Sequence, residues 1–259
     1  MKRPELERTL AAKLQSGKLF VPYLTAGLPS PQRFVETVSD LTGVAAAVEV
    51  GIPFSDPIMD GPVIQEASMR ALQLGMTMEA SLDLIKETRR YVDLPIIVMT
   101  YFNPIHRMGL EKFTERMARA GGSGLIVPDL PLEESEELHR HTKKRGLALI
   151  QMVSPMTSES RTAAIAEVSE GFVYAVSRLG VTGEQQSLAE SAAGVVSRIR
   201  PHTKVPILLG IGVSDAEQAR EAARYADGVI VGTAIMKKVL AGDTAGVATL
   251  ARELAASLS

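Results

Sequence analysis

The side chains best suited to chemistry in this chain are carboxylates. Glu49 stands inside an otherwise apolar run, Ala45-Ala-Ala-Val-Glu-Val-Gly51. A carboxylate there is hard to ionise unless it is paired with a neighbouring strand, and a raised pKa is what a general acid or base needs at neutral pH. The next segment, Gly51-Ile-Pro-Phe-Ser-Asp-Pro-Ile-Met-Asp-Gly-Pro62, adds Asp56 and Asp60 on a backbone restrained by three prolines. Such restraint helps hold a carboxylate in place, although Asp60-Gly61 alone also reads as a turn. Other chemistries lack their residues. Cysteine is absent, which removes thiol catalysis, disulfides and thiolate-held iron–sulfur centres. Lys18 and Lys204 precede apolar runs, and no lysine lies within or directly after one, so a Schiff-base mechanism has no nucleophile. Of His106, His139, His141 and His202, only His106 follows such a run, several residues into what reads as a loop. No metal site is expected.

Two turns could receive an anion. Gly210-Ile-Gly212 ends one apolar run just before a helix start near Ser214, and Gly232-Thr233 ends the next and opens a helix at Ala234. Glycines let an anion approach the backbone, and helix N-termini supply free N–H groups and a positive dipole. The stretch Val176-Ser-Arg-Leu-Gly-Val-Thr-Gly-Glu184 reads either as a lid hinged at Gly180 and Gly183 or as an ordinary loop. Tyr23, Tyr101 and Tyr174 fall at or near the ends of apolar runs, where they could line an aromatic pocket or fill a core.

These residues need a scaffold. Apolar runs at residues 19–25, 47–50, 95–100, 124–128, 147–153, 172–177, 206–210 and 228–231 predict eight strands, mostly without strict alternation. That pattern suits parallel strands buried on both faces. Helix-start signals between them include Ser30-Pro31, Thr77, Ser158 and a capping box at Ser214-Asp-Ala-Glu217. Extra helices are predicted over residues 4–15 and within the second unit over 62–74. A chain of 259 residues with eight strand–helix units predicts one (β/α)8 TIM barrel over 1–259. The doubly wound alternative expects Gly-x-Gly-x-x-Gly after the first strand, where Thr25-Ala-Gly-Leu-Pro29 stands instead. In a barrel, the carboxylates, both glycine turns and the tyrosines all fall at the C-terminal mouth.

Composition narrows the class further. A net charge of −2 leaves no basic footprint for nucleic acid, and no apolar stretch is long enough for a membrane span. The N-terminus is not a secretory signal, so the expected location is cytoplasmic.

Over the whole chain the motifs resemble one family, the α subunits of tryptophan synthase. They are VEVGIPFSDPIMDGPVIQ in the second unit, PYLTAGLP in the first, YFNPI in the third, VPDLPLEE in the fourth and SRLGVTG in the sixth, with the two glycine turns. The resemblance implies a lyase that cleaves indole-3-glycerol phosphate to indole and glyceraldehyde 3-phosphate in tryptophan biosynthesis. It implies Glu49 as acid/base and Asp60 as the group that holds the indole N–H. Tyr174 would lie beside the reacting centre and Ile211 at the indole pocket, where Tyr23 and Tyr101 are candidates from their own positions. Thr182 would close toward the aspartate, with Gly183, Gly212, Gly232 and Thr233 on the phosphate. No cofactor is implied in this chain. A β subunit carrying pyridoxal phosphate is the implied partner in an α2β2 tetramer, met by loops with Asp56, Asn103 and Pro104. Two other functions compete. A phosphate-binding epimerase or isomerase would explain the glycine turns but not the second-unit loop. A catalytically silent activator of a β subunit would not need acids at 49 and 60.

Overall fold

The apolar runs form strands because each side of each run finds a separate apolar layer. In this computed structural model, which describes residues 4–176, 188–210 and 212–258, eight parallel strands close on themselves in chain order. They are β1 (Leu19–Thr25), β2 (Val48–Gly51), β3 (Ile96–Met99), β4 (Gly122–Ile126), β5 (Ala148–Val153), β6 (Val173–Val176), β7 (Ile207–Gly210) and β8 (Gly228–Val231). β8 pairs back onto β1, with Leu19 opposite Gly228. The (β/α)8 barrel is therefore the architecture, and its strands lie within one or two residues of the expected bounds. Ser177, expected at the end of the sixth strand, lies outside the described residues.

The outer ring consists of α2 (Pro31–Asp40), α4 (Met78–Thr88), α6 (Leu110–Arg119), α7 (Glu136–Lys144), α8 (Glu159–Val168), α9 (Leu188–Ile199), α10 (Ala216–Ala223) and α12 (Thr244–Ser257). Ser30, Thr77 and Ser158 cap their helices as expected, each accepting from the backbone N–H three residues on. The fourth cap is corrected by one residue. Asp215, not Ser214, accepts from Gln218 N, while Gln218 Oε1 accepts from Ser214 N. The carboxylate competes better than the hydroxyl for these charge-favouring N–H groups.

Further helices are α1 (Glu5–Leu14), α3 (Pro62–Gln73), α5 (Phe102–Met108) and α11 (Thr233–Leu240). The first two match the expected extra helices. α1 plugs the N-terminal end of the barrel: Leu6 and Leu10, both fully buried, join Leu19, Val21, Ala47, Ile97, Ile150, Phe172 and Leu208 inside it. Each such leucine contributes about 2 kcal/mol. With that end closed, the C-terminal mouth is left for chemistry. No helix among the described residues is long and apolar enough to cross a membrane.

Candidate active site

Pleat parity decides where Glu49 points. Val48 and Val50 belong to the apolar layer under the helices, whereas Ala47 belongs to the interior. Glu49 shares the side of Ala47 and so faces into the barrel, one level nearer the mouth. Tyr23 on β1 and Ile97 on β3 flank it in register. Glu49 is 1% exposed, and its Oε2 has no hydrogen-bond partner among the described residues. Burial, reinforced by the charge of Asp60, pushes its carboxyl up to about 8. No strand neighbour supplies a cation, so the structural ion pair that would explain such a residue is not formed among the described residues.

Asp60 arrives from the loop after β2. Ile52 N continues the ladder to Met99 O at 2.9 Å, Asp60 N donates to Pro57 O at 3.0 Å, and Gln65 of α3 donates to Asp60 O at 2.9 Å. The loop thereby brings Asp60 within electrostatic reach of Glu49. Burial raises the Asp60 carboxyl to about 6, opposed by a hydrogen bond from the Tyr101 hydroxyl to its Oδ2 at 3.0 Å. Tyr101 is 4% exposed, and its hydroxyl also accepts from Met59 N at 3.0 Å. Two like groups are thus set apart by depth. Such a split would leave Glu49 protonated and Asp60 largely ionised near neutral pH, an arrangement that can serve acid and base chemistry.

The tyrosines complete the mouth. Burial keeps the phenols of Tyr23 and Tyr174 protonated, and the charges of Glu49 and Asp60 act on both in the same direction. Their rings need room at the strand ends. A Cβ on Gly51 would lie 2.0 Å from the Tyr23 hydroxyl, and one on Gly210 would lie 2.4 Å from the Tyr174 ring. Only glycine lets these neighbouring rings cross the barrel there.

The two glycine turns are not equivalent. α10 is capped by Asp215, so a carboxylate already occupies the anion position there. α11 begins one residue before the expected start, after Gly232, and has no side-chain cap. Among the described residues no side chain caps its first N–H groups, and Thr233 beside them is exposed, so an anion could be received there. Gly212 has φ +74°, a left-handed conformation that favours glycine. A short extra helix after the eighth strand is a recurrent phosphate position in barrels.

Other expected residues fall elsewhere or outside view. Asp56 is exposed on the outer side of the β2 loop, in a cleft of about 820 Å³ with Phe54, Pro57, Ile58 and Met69 that contains neither Glu49 nor Asp60. Asn103 and Pro104 do not lie in a loop: they form the first turn of α5, which also carries His106. Proline fits there because first-turn N–H groups have no helical partner. Thr182, Gly183, Ile211 and the expected lid lie outside the described residues. Asp129, after β4, was not singled out by sequence, yet its Oδ1 accepts from Phe102 N at 2.9 Å and anchors the start of α5. The signals were its place at a strand end and within the VPDLPLEE motif. Among the described residues no group of three or more His, Cys, Asp or Glu could hold a metal ion.

Comparison with known proteins identifies the family. The family profile described as tryptophan synthase alpha chain matches residues 10–257. The chain is 45% identical to the tryptophan synthase alpha chain of Streptomyces coelicolor over 257 residues, covering 96% of this chain and 95% of that protein. The corresponding chain of Synechococcus elongatus is 44% identical, covering 94% and 92%. Among solved structures, subunit alpha from Legionella pneumophila superposes with a TM-score of 0.89 at 32% identity, covering 99% and 98% of the two chains. A chain of tryptophan synthase from Mycobacterium tuberculosis also gives 0.89 at 32% identity, covering 99% of each. With a matching profile over nearly its whole length and relatives this similar, the chain belongs to the tryptophan synthase alpha chain family.

Proposed function

We propose that this chain, acting over 1–259 as one barrel domain in the cytoplasm, cleaves indole-3-glycerol phosphate to indole and glyceraldehyde 3-phosphate. The observation that carries the reading is the pair of carboxylates at one barrel mouth: Glu49 is buried in a strand with Oε2 unpartnered among the described residues, and Asp60 is held on the neighbouring loop by Tyr101. Protonated Glu49 delivers its proton to indole C3 while ionised Asp60 takes up the N–H, which gives the indolenine tautomer. Glu49, now a base, accepts the proton of the adjacent glycerol hydroxyl. The carbon–carbon bond breaks, its electron pair returns to the ring, the nitrogen regains its proton, and the aldehyde is released. Protons balance within the two carboxylates, so no cofactor on this chain has a step to perform.

The phosphate is assigned to the uncapped N-terminus of α11 with Gly232 and Thr233, joined by Gly212 and Gly183. The indole is assigned to the pocket of Tyr23, Tyr101, Tyr174 and Ile211, with Thr182 closing over it. The partner is a tryptophan synthase β chain carrying pyridoxal phosphate, in an α2β2 assembly, seated on Asp56, Asn103 and Pro104. Exposed Ile58 and Met69 beside Asp56 are 78% and 54% accessible, an apolar patch suited to a protein partner.

The test is indole release from indole-3-glycerol phosphate by the isolated wild-type chain and by Glu49→Gln. The amide keeps the shape but cannot transfer a proton, so turnover should fall about 10²–10⁴-fold. Activity within a few-fold of wild type would remove Glu49 from the chemistry. A wild-type chain that stimulates a β chain without releasing indole would make it a silent activator.

A further inference from the structure

Tyr101 sits where three rim segments meet. Its backbone is the residue immediately before α5, and its ring lies against Phe54 of the β2 loop with centroids 5.2 Å apart. Its hydroxyl donates to Asp60 Oδ2 and accepts from Met59 N, both at 3.0 Å. α5 itself is tied to the β4 rim through Phe102 N and Asp129. One oxygen therefore grips the β2 loop twice, once by its backbone and once by the adjoining carboxylate. Among the described residues it is the sole side-chain donor to that carboxylate.

We propose that the Tyr101 hydroxyl is the positioning group of Asp60, and the connection through which a protein seated on the exposed rim of Asp56 and Asn103 adjusts that carboxylate. The second half rests on the partner assignment above. Asp60 belongs to a loop and is not fully buried, so without Tyr101 its side chain has no fixed direction toward the pocket. With Tyr101 in place, α5 cannot shift along the rim without carrying Asp60 or breaking two hydrogen bonds. A contact made at Asn103, on the first turn of α5, is thereby transmitted to a carboxylate that it does not touch. Among the described residues the other titratable groups facing this site are Glu49 from β2, Tyr23 from β1 and Tyr174 from β6, with Asp129 from the β4 rim acting on Tyr101. All of them are acids, so none replaces the Tyr101 hydroxyl as a source of positive potential for Asp60.

The test variant is Tyr101→Phe, which keeps the ring and deletes the hydroxyl. Its first readout needs no turnover: the carboxyl titration of Asp60, followed by carbon NMR in the full chain with labelled aspartate. The hydrogen bond lowers the Asp60 pKa, so its loss should raise the midpoint above the wild-type value of about 6. In turnover, kcat at neutral pH should fall about tenfold or more, the scale of a hydrogen bond to a charged group, with KM little changed. The stimulation given by the β chain of the same genome should drop to less than half, at saturating β chain. Phe54→Leu removes the ring contact and keeps the hydroxyl, so it should leave the Asp60 midpoint in place. An unchanged midpoint in Tyr101→Phe, an equal shift in Phe54→Leu, or undiminished stimulation would each overturn the proposal. Failure of the wild-type chain to cleave indole-3-glycerol phosphate would instead overturn the proposed function, while the titration still decides what holds Asp60.

Discussion

Replacing Glu49 by glutamine should stabilise the protein at alkaline pH while it destroys turnover. In the folded chain, burial and then the charge of Asp60 lift this carboxyl from 4.5 to about 8. In the unfolded chain it titrates near its ordinary value. Because the folded pKa is the higher one, the folded state binds the proton more tightly, and stability falls as pH rises between the two values. Below about 4.5 both states are protonated and nothing is lost; above about 8 both are ionised and the loss is complete. The span, 8 − 4.5, is about 3.5 units, which at about 1.36 kcal/mol each sets an upper bound of about 5 kcal/mol. Glutamine is neutral throughout. The variant should therefore lead by less than about 1 kcal/mol at pH 5 and by about 2–5 kcal/mol at pH 9. Urea melts of both chains across that range provide the assay, and Tm should diverge by several degrees over the same interval. Stability curves that run parallel from pH 5 to pH 9 would refute the reasoning, because they would mean that Glu49 titrates alike in both states.

Three further outcomes are expected. The pH profile of kcat/KM should rise through about 6 as Asp60 ionises and fall through about 8 as Glu49 loses its proton; Asp60→Asn should lose the acid limb and most of the turnover. Gly210→Ala places a Cβ 2.4 Å from the Tyr174 ring, which must tilt into the mouth, so denaturant melts should show a loss of about 1–3 kcal/mol and kcat/KM should fall at least about tenfold. Asp56→Ala should leave the isolated rate nearly unchanged and reduce stimulation by the β chain, because Asp56 is exposed and outside the mouth. Equal loss in both rates would place Asp56 in the catalytic site.

What sequence could and could not show follows from the range of the interactions. Glu49 was legible because a lone acid among alanines and valines conflicts with its own strand, and such conflicts mark function. The barrel was legible from eight unalternating apolar runs, and the plug α1 from its own periodicity. Asp60 alone was ambiguous, since a turn aspartate and a catalytic one look alike. What the structure adds is the bond to Tyr101, 41 residues away along the chain. The same blindness hid Asp129, whose role depends on a helix start in the preceding unit. α5 itself was read as a loop because a short helix has too few turns to show periodicity. The two glycine turns looked alike because their difference lies in a cap one residue from the expected serine.

The placement of the two carboxylates also separates what is fixed from what is adjustable. Glu49 is part of a strand hydrogen-bonded on both sides in a closed barrel, so its backbone cannot move without opening the ladder. Asp60 hangs from a loop that is exposed at Asp56, and among the described residues its carboxylate is held by one phenol from the next unit. On the roles proposed above, a partner touching the rim would act on Asp60, the N–H acceptor, and would have little leverage on Glu49. Coupling of this kind is limited by the partner's differential affinity for the two arrangements of the rim. Proton transfer at C3 and at the hydroxyl would remain a property of the barrel, and stabilisation of the indolenine would become the step a partner can tune. A carboxylate on a second strand would serve the chemistry equally well but would leave nothing to regulate. On this reading the loop position of Asp60 would be the feature that ties the proposed active site to its surface.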